Sequence, residues 1–210
     1  VSLDSNEDLL SNYARMVGIP QHDIVNAFKS TDNGVGEVED FLDKYYYIRL
    51  LSSINPTSRP GRMFQDYVRM EIDAKNLETI LKLKAEGVYG EIVMKYMIPG
   101  GKEIDKRVAT QLANSETIAA VVNDSAQLQF SEFVKPLVED DRVLIRDVVH
   151  EMKKYEIAQA KKFAHMYPLS VVPVIDYMIN KEIEVNNIRT VARGIESGLD
   201  KDIIKGLLVI

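Results

Sequence analysis

The sequence predicts an all-α protein assembled from repeated helical modules, and three observations carry that expectation. Apolar residues recur at three- and four-residue spacing along almost the whole chain. Sustained alternation with β-branched residues, the mark of a half-buried strand, is nearly absent. One long amphipathic segment also returns later in the chain together with the glycine that stops it.

Taken in order, Ser5-Asn6-Glu7-Asp8 reads as a helix start, and Gly18 and Pro20 end that helix and open the next. Thr31-Asp32-Asn33-Gly34-Val35-Gly36 reads as a loop. A helix from Glu37 to about Ser53 follows, with Phe41, Tyr45, Ile48 and Leu51 on one stripe and the cluster Tyr45-Tyr46-Tyr47 read as packing. Asn55-Pro56-Thr57-Ser58-Arg59-Pro60-Gly61 is the strongest breaker and the expected module boundary. Beyond it the pattern predicts a long helix over 63–86 stopped by Gly87, and a short one to Met97 before Pro99-Gly100-Gly101. Further helices are expected over 102–113, 115–123, 130–138 and 140–166. Pro168 is expected to open another that runs to Ser197, with Pro173 in or near its first turn, and 200–208 to make a last short helix. The expected organisation is a segment 1–60 completing a preceding module, a first repeat module over 61–166, and the start of a second over 167–210.

The repeat is the most informative feature. Glu71–Val88 recurs at Glu182–Leu199 with a constant offset of 111 residues, and Glu71/Glu182, Ile72/Ile183, Asn76/Asn187, Thr79/Thr190 and Gly87/Gly198 are identical. A shorter helical pattern follows the glycine in both copies. Ile72, Asn76, Thr79, Ile80 and Leu83 share one stripe, so Asn76, and likewise Asn187, is expected to point inward as a buried amide. A buried amide without partners costs about 1–3 kcal/mol, so each should hydrogen-bond a facing helix or loop. Asp73 and Glu184 stand three residues earlier, and each acid-x-x-Asn pair is expected to clamp its long helix to the rest of its module. Gly194, mid-helix, costs about 1 kcal/mol relative to alanine, and close approach of a neighbouring helix is the expected compensation.

Composition excludes several functions. There are no cysteines, so disulfides, thiolate metal sites and cysteine nucleophiles are ruled out. The net charge is −6 and the pI about 5.2, which repels phosphate backbones and makes nucleic acid an unsuited partner. The longest strongly apolar, charge-free run, Phe163–Ile175, is shorter than the roughly 20 residues of a spanning helix and holds two prolines, so no direct membrane span is expected. No signal peptide is expected at the start of the sequence. Walker A, GxGxxG, HExxH and GxSxG patterns are missing from the sequence. His22, His150 and His165 lack metal-ligand spacing, so no catalytic residue, cofactor or metal is assigned. Glu139-Asp140-Asp141 is read as a helix start favoured by the macrodipole.

At the repeated segments the sequence resembles the C subunit of archaeal A/V-type rotary ATPases, which corresponds to the d subunit of the vacuolar enzyme. The likeness lies in an acid-x-x-Asn-apolar helix followed by a basic position and then glycine. Here that is Asp73-Ala74-Lys75-Asn76-Leu77 with Lys82 and Gly87, then Glu184-Val185-Asn186-Asn187-Ile188 with Arg193 and Gly198. Phe41-Leu42-Asp43-Lys44-Tyr45-Tyr46 also resembles the family's Leu-Asp-x-x-Tyr helix. The resemblance implies a funnel of three similar modules with pseudo-threefold symmetry, of which the N-terminal one is expected to lie outside this sequence. It implies a non-catalytic central-stalk part on the cytoplasmic face of the membrane, seated between the membrane proteolipid ring and the coiled-coil stalk protein. Such a part couples ATP turnover to proton transport and needs no cofactor. Asp73, Asn76, Glu184, Asn187 and Arg193 are the candidate structural or partner-binding residues. A helical-repeat scaffold unrelated to rotary ATPases is the alternative, and a helical hydrolase using Asp43, Asp73 and Glu184 is a third reading.

Overall fold

The computed structural model describes residues 3–29, 34–137, 144–166, 168–169 and 172–209, and among these every regular element is helical. The chain folds as two compact units, residues 1–52 and 53–210.

The first unit comprises α1 (Leu3–Val17), α2 (Gln21–Lys29) and α3 (Gly34–Ser53), which ends at the unit boundary. Its core is Ala14, Ile19, Ile24 and Val38, with Phe41, Leu42 and Tyr45 packed against it. The turn between α1 and α2 is closed by Ile19 N–H donating to Ala14 O at 2.9 Å, and Tyr45 Oη donates to Gly18 O at 3.0 Å. Helix α1 is already running at Ser5, ahead of the expected start. The expected loop Thr31–Gly36 falls partly outside the described residues, and Gly34–Gly36 belong to α3. The apolar positions downstream commit that segment to helix, and packing outweighs the weak propensity of glycine. On α3 the tyrosines divide: Tyr47 is buried and Tyr46 exposed, while Ile48, expected on the inward stripe, is half exposed.

The second unit begins with a break that is shorter than its composition suggests. Asn55 Oδ1 accepts from Thr57 N–H at 3.0 Å and from its hydroxyl at 2.7 Å, and Ser58 caps α4 (Arg59–Ala85) by accepting from Gly61 N–H at 3.1 Å. Pro60 therefore sits in the first turn of α4, where its missing N–H has no intrahelical partner to lose, and the expected breaker becomes the start of a helix.

After α4 come α5 (Glu91–Tyr96), α6 (Lys106–Asn114), α7 (Ile118–Asp124), a 3₁₀ turn (Ser125–Gln127), α8 (Ser131–Val134) and a second 3₁₀ turn (Lys135–Leu137). Helices α9 (Ile145–Met166), α10 (Val172–Glu196) and α11 (Lys201–Leu207) complete the unit. Helices α6 and α7 start later than periodicity predicts because Asp105 and Thr117 cap them, accepting from Val108 N–H at 2.8 Å and Ala120 N–H at 3.0 Å. Helix α10 likewise begins at Val172, with Pro173 in its first turn, and not at Pro168. Glu139–Asp141 lie outside the described residues. The contacts make a layered arrangement: α9 lies against both α4 and α10, while α5, α6 and α7 cover α4. Ile72, Leu77, Ile80 and Leu81 of α4, Leu112 of α6, Val121 and Val122 of α7 and Val148 of α9 are fully buried.

The two long helices carrying the repeated segment end alike. Gly87 and Gly198 take φ of 77° and 67°, a left-handed conformation that any side chain would strain. Val88 N–H donates to Leu83 O and Leu199 N–H to Gly194 O, both at 2.9 Å. Gly194 is required by packing, as a Cβ there would stand 2.7 Å from Ile204 Cγ1 on α11. In the first copy a leucine, Leu83, takes its place, and the smaller Val93 takes that of Ile204.

Candidate functional site

Asn76 lies on the face of α4 toward the chain that leaves α5. Its amide replaces a strand-like backbone pairing: Nδ2 donates to Ile98 O at 2.9 Å and Oδ1 accepts from Ile98 N–H at 2.8 Å, all buried. Asn187 treats Val209 in the same way, with Nδ2 donating to Val209 O at 2.8 Å and Val209 N–H donating to Oδ1 at 3.1 Å. The partner stands 22 residues on in both cases. Each amide thus uses donor and acceptor together on one residue, which fixes where the chain passes after the short helix. The surroundings differ in depth, since Asn76 is buried and Asn187 only half-buried.

Asp73, one turn earlier on α4, holds the next stretch. Its Oδ2 accepts from the N–H groups of Lys102 at 3.0 Å and Glu103 at 2.8 Å, and Oδ1 accepts from Ile104 N–H at 3.0 Å. Burial pushes the carboxyl up to about 6 against these donors, which favour the charged form. A Cβ on Gly101 would lie 2.1 Å from Asp73 Oδ1, so only glycine lets the loop come this close. Lys84 completes the seam at the end of the same face, donating to Ala113 O at 2.9 Å and lying 4.6 Å from the Tyr89 ring centroid. Burial lowers its pKa.

The second copy does not repeat all of this. Glu184, expected to clamp as Asp73 does, is exposed and pairs with Lys181 at 2.5 Å. Its side chain lies on an open face of α10 and turns to a neighbour on its own helix. Arg193 is exposed in the last turn of α10, and its counterpart Lys82 pairs with Glu78 at 2.6 Å. The structure therefore brings Asp73 and Asn76 onto one seam, places Asn187 on an equivalent one, and leaves Glu184 and Arg193 facing outward. The hydrolase reading finds no support in this geometry, because the Asp73 oxygens are committed to backbone donors and Glu184 stands on another helix. Among the described residues no group of acids and histidines is arranged to hold a metal ion, and no helix is long and apolar enough to cross a membrane.

Sequence periodicity missed a second polar feature, where α9 meets both long helices. Glu156 is buried, and Lys153 Nζ pairs with its Oε2 at 2.9 Å. Glu71 and Lys75 of α4 and Glu182 of α10 line the same cavity of about 210 Å³. Burial, helped by the fields of Glu71 and Glu182, pushes Glu156 up to about 7, against Lys153. Burial works to lower Lys153, but Glu156, Glu71 and Glu182 overcome it and raise it. The signal available was Lys153-x-x-Glu156 within an otherwise apolar stripe of Val149, Met152 and Ala160.

The raised carboxyl implies a sign for stability. Folded Glu156 holds its proton more tightly than the unfolded chain, so its stabilising contribution is full below about pH 4.5 and lost as pH rises to about 7. Glu156→Gln is expected to remove that decline and to raise stability above pH 7 by up to about 3 kcal/mol relative to the parent. Urea midpoints measured from pH 4.5 to 8 check it, and parallel curves for the two proteins would refute it.

Comparison with known proteins adds an independent line. The family model described as "ATP synthase (C/AC39) subunit" matches residues 3–207. Among similar curated proteins, the A-type ATP synthase C subunit of Methanococcoides burtonii is 31% identical over 216 residues, covering 100% of this chain and 58% of its own. Those of Methanosarcina mazei and Archaeoglobus fulgidus are each 32% identical over 200 residues, covering 90% and 92% of this chain and 54% of their own. The chain thus spans little more than half the length of the curated relatives it matches. No solved structure matches it.

Proposed function

Because this chain belongs to the ATP synthase (C/AC39) subunit family, we propose that it serves as the central-stalk adaptor of an A-type rotary ATP synthase. In that role it links the membrane proteolipid ring to the coiled-coil stalk protein, on the cytoplasmic face of the membrane, and performs no chemistry of its own. The observation that carries the reading is the family match over nearly the whole chain, at residues 3–207. The geometry supports it: a part that transmits torque must keep its helices in register under load. Paired backbone bonds from Asn76 and Asn187, with the three-fold acceptor Asp73, tie helices to loops without depending on exposed ion pairs, which are worth little.

Residues 61–166 and 167–210 are read as two copies of one module, the second only begun, within a funnel of such modules. Asp73, Asn76 and Asn187 each hold the long helix of a module to a later stretch of the same module, and Glu184 and Arg193 are the candidates for contact with partners. Tagged full-length protein, purified from gently solubilised membranes of its own cells, is expected to bring down the proteolipid ring and the coiled-coil stalk protein. Recovery of neither would overturn the adaptor role and favour a helical scaffold.

A further inference from the structure

Glu71 and Glu182 hold the same position in the two copies of the repeated segment, and the packing around α9 brings them to one place. Helices α4 and α10 meet mainly through α9, which lies against both. At that junction a cavity of about 210 Å³ is lined by Glu71, Lys75 and Glu78 of α4, Lys153 and Glu156 of α9 and Glu182 of α10, four carboxyls against two amines. Helix α8, which also packs on α9, sends Phe133 onto Tyr155, and its one acid, Glu132, is exposed and does not line the cavity. Glu156 is 4% exposed and pairs with Lys153 at 2.9 Å, whereas Glu182 is exposed, so the cavity reaches water at its α10 edge. Val149 and Met152 line the same wall, and one more apolar side chain beside them would join the three helices without the cost of burying a carboxyl among others of its kind.

We propose that this cluster makes the seating of α10 on α4 and α9 conditional on one proton. With Glu156 neutral the three helices close over the cavity, and Lys153 is left to balance Glu71 and Glu182. With Glu156 ionised, carboxylates from three helices face one cavity, and parting α10 from α9 is the move that lets water solvate them. The device lies at the junction of the two copies and does not depend on the rotor role. Its direction follows from which form holds the proton more tightly. Burial and the fields of Glu71 and Glu182 hold Glu156 at about 7 in the seated form, and a solvated glutamate returns to its ordinary value of 4.5. The parted form therefore gains on the seated one as pH rises from about 4.5 to about 7, by up to about tenfold per pH unit, and the ratio levels off above that range.

The chain has no cysteine, so a spin-labelled pair can be placed at will. Ala85→Cys and Glu196→Cys are exposed, equivalent positions at the ends of α4 and α10, and the distance between labels there reports how the two long helices stand in the full-length protein. Pulsed spin-resonance distances are expected to pass from a shorter to a longer population between pH 5 and pH 8, their ratio growing by about tenfold or more. Glu156→Gln, which cannot ionise, is expected to keep the shorter distance throughout. Glu182→Gln, which removes an exposed charge and leaves the core untouched, is expected to reduce the rise. A distance that does not move with pH overturns the proposal, as does a Glu182→Gln protein whose rise equals the parent's. A Glu156→Gln protein that still follows the parent overturns it in favour of another carboxyl, such as Asp73, which burial raises to about 6. Loss of the far-ultraviolet helical signal over the same range overturns it in favour of unfolding of the whole unit.

Discussion

Truncation of Asp73 to alanine is expected to lower the stability of residues 53–210 by about 3 kcal/mol, a fall in Tm of roughly 6–12 °C. The N–H groups of Lys102, Glu103 and Ile104 all lose their acceptor, and Ile104 is buried, so water cannot replace it fully. Asp73→Asn retains an oxygen able to serve the two donors now on Oδ2 but turns an N–H toward the third. About half the loss is expected for that variant. Amide hydrogen exchange at Ile104 should accelerate in both, most in Asp73→Ala. A melt within 2 °C of the parent for Asp73→Ala would mean that the loop is held by packing and not by the carboxylate.

Asn76→Leu is expected to cost about 2–3 kcal/mol, because the leucine strands the N–H and the C=O of Ile98 together in the core. The apolar gain of the substitution offsets only part of two lost bonds. Asn187→Leu should cost about 1 kcal/mol, since Asn187 is half-buried and water reaches its partner Val209. Chemical denaturation of the two variants side by side is the check. Equal losses would contradict the difference in burial, and an unchanged Asn76→Leu protein would remove the clamp from the account of the fold.

Much of this seam was legible in the chain itself. The stripe Ile72-Asn76-Ile80 puts a carboxamide among apolar neighbours, and burial then demands partners for it in a facing helix or loop, which Ile98 supplies. The need for a close neighbour at Gly194 was equally readable, and Ile204 meets it. Other features were not legible. Pro60 looked like a breaker because proline cannot donate, yet Ser58 capping makes its position the first turn, where no donor is needed. Asp73 and Glu184 occupy equivalent positions, but whether such an acid clamps a loop depends on whether a loop arrives, and local pattern holds no record of that. Lys84 and Glu156 belong to residue types that are ordinarily solvated. Only the arrival of Ala113 over Lys84, and of α9 between α4 and α10, buries them.

The amino-acid order by itself determined the helical class, the recurrence of one segment, its glycine stops and the inward pull of Asn76, since all of these arise from period, capping and desolvation within a few turns of chain. The tertiary structure alone decided which equivalent residues play equivalent parts. Asp73 gathers three N–H groups and Glu184 none, Leu77 is sealed and Ile188 open, because exposure is a property of what packs opposite a helix and not of the helix that is packed.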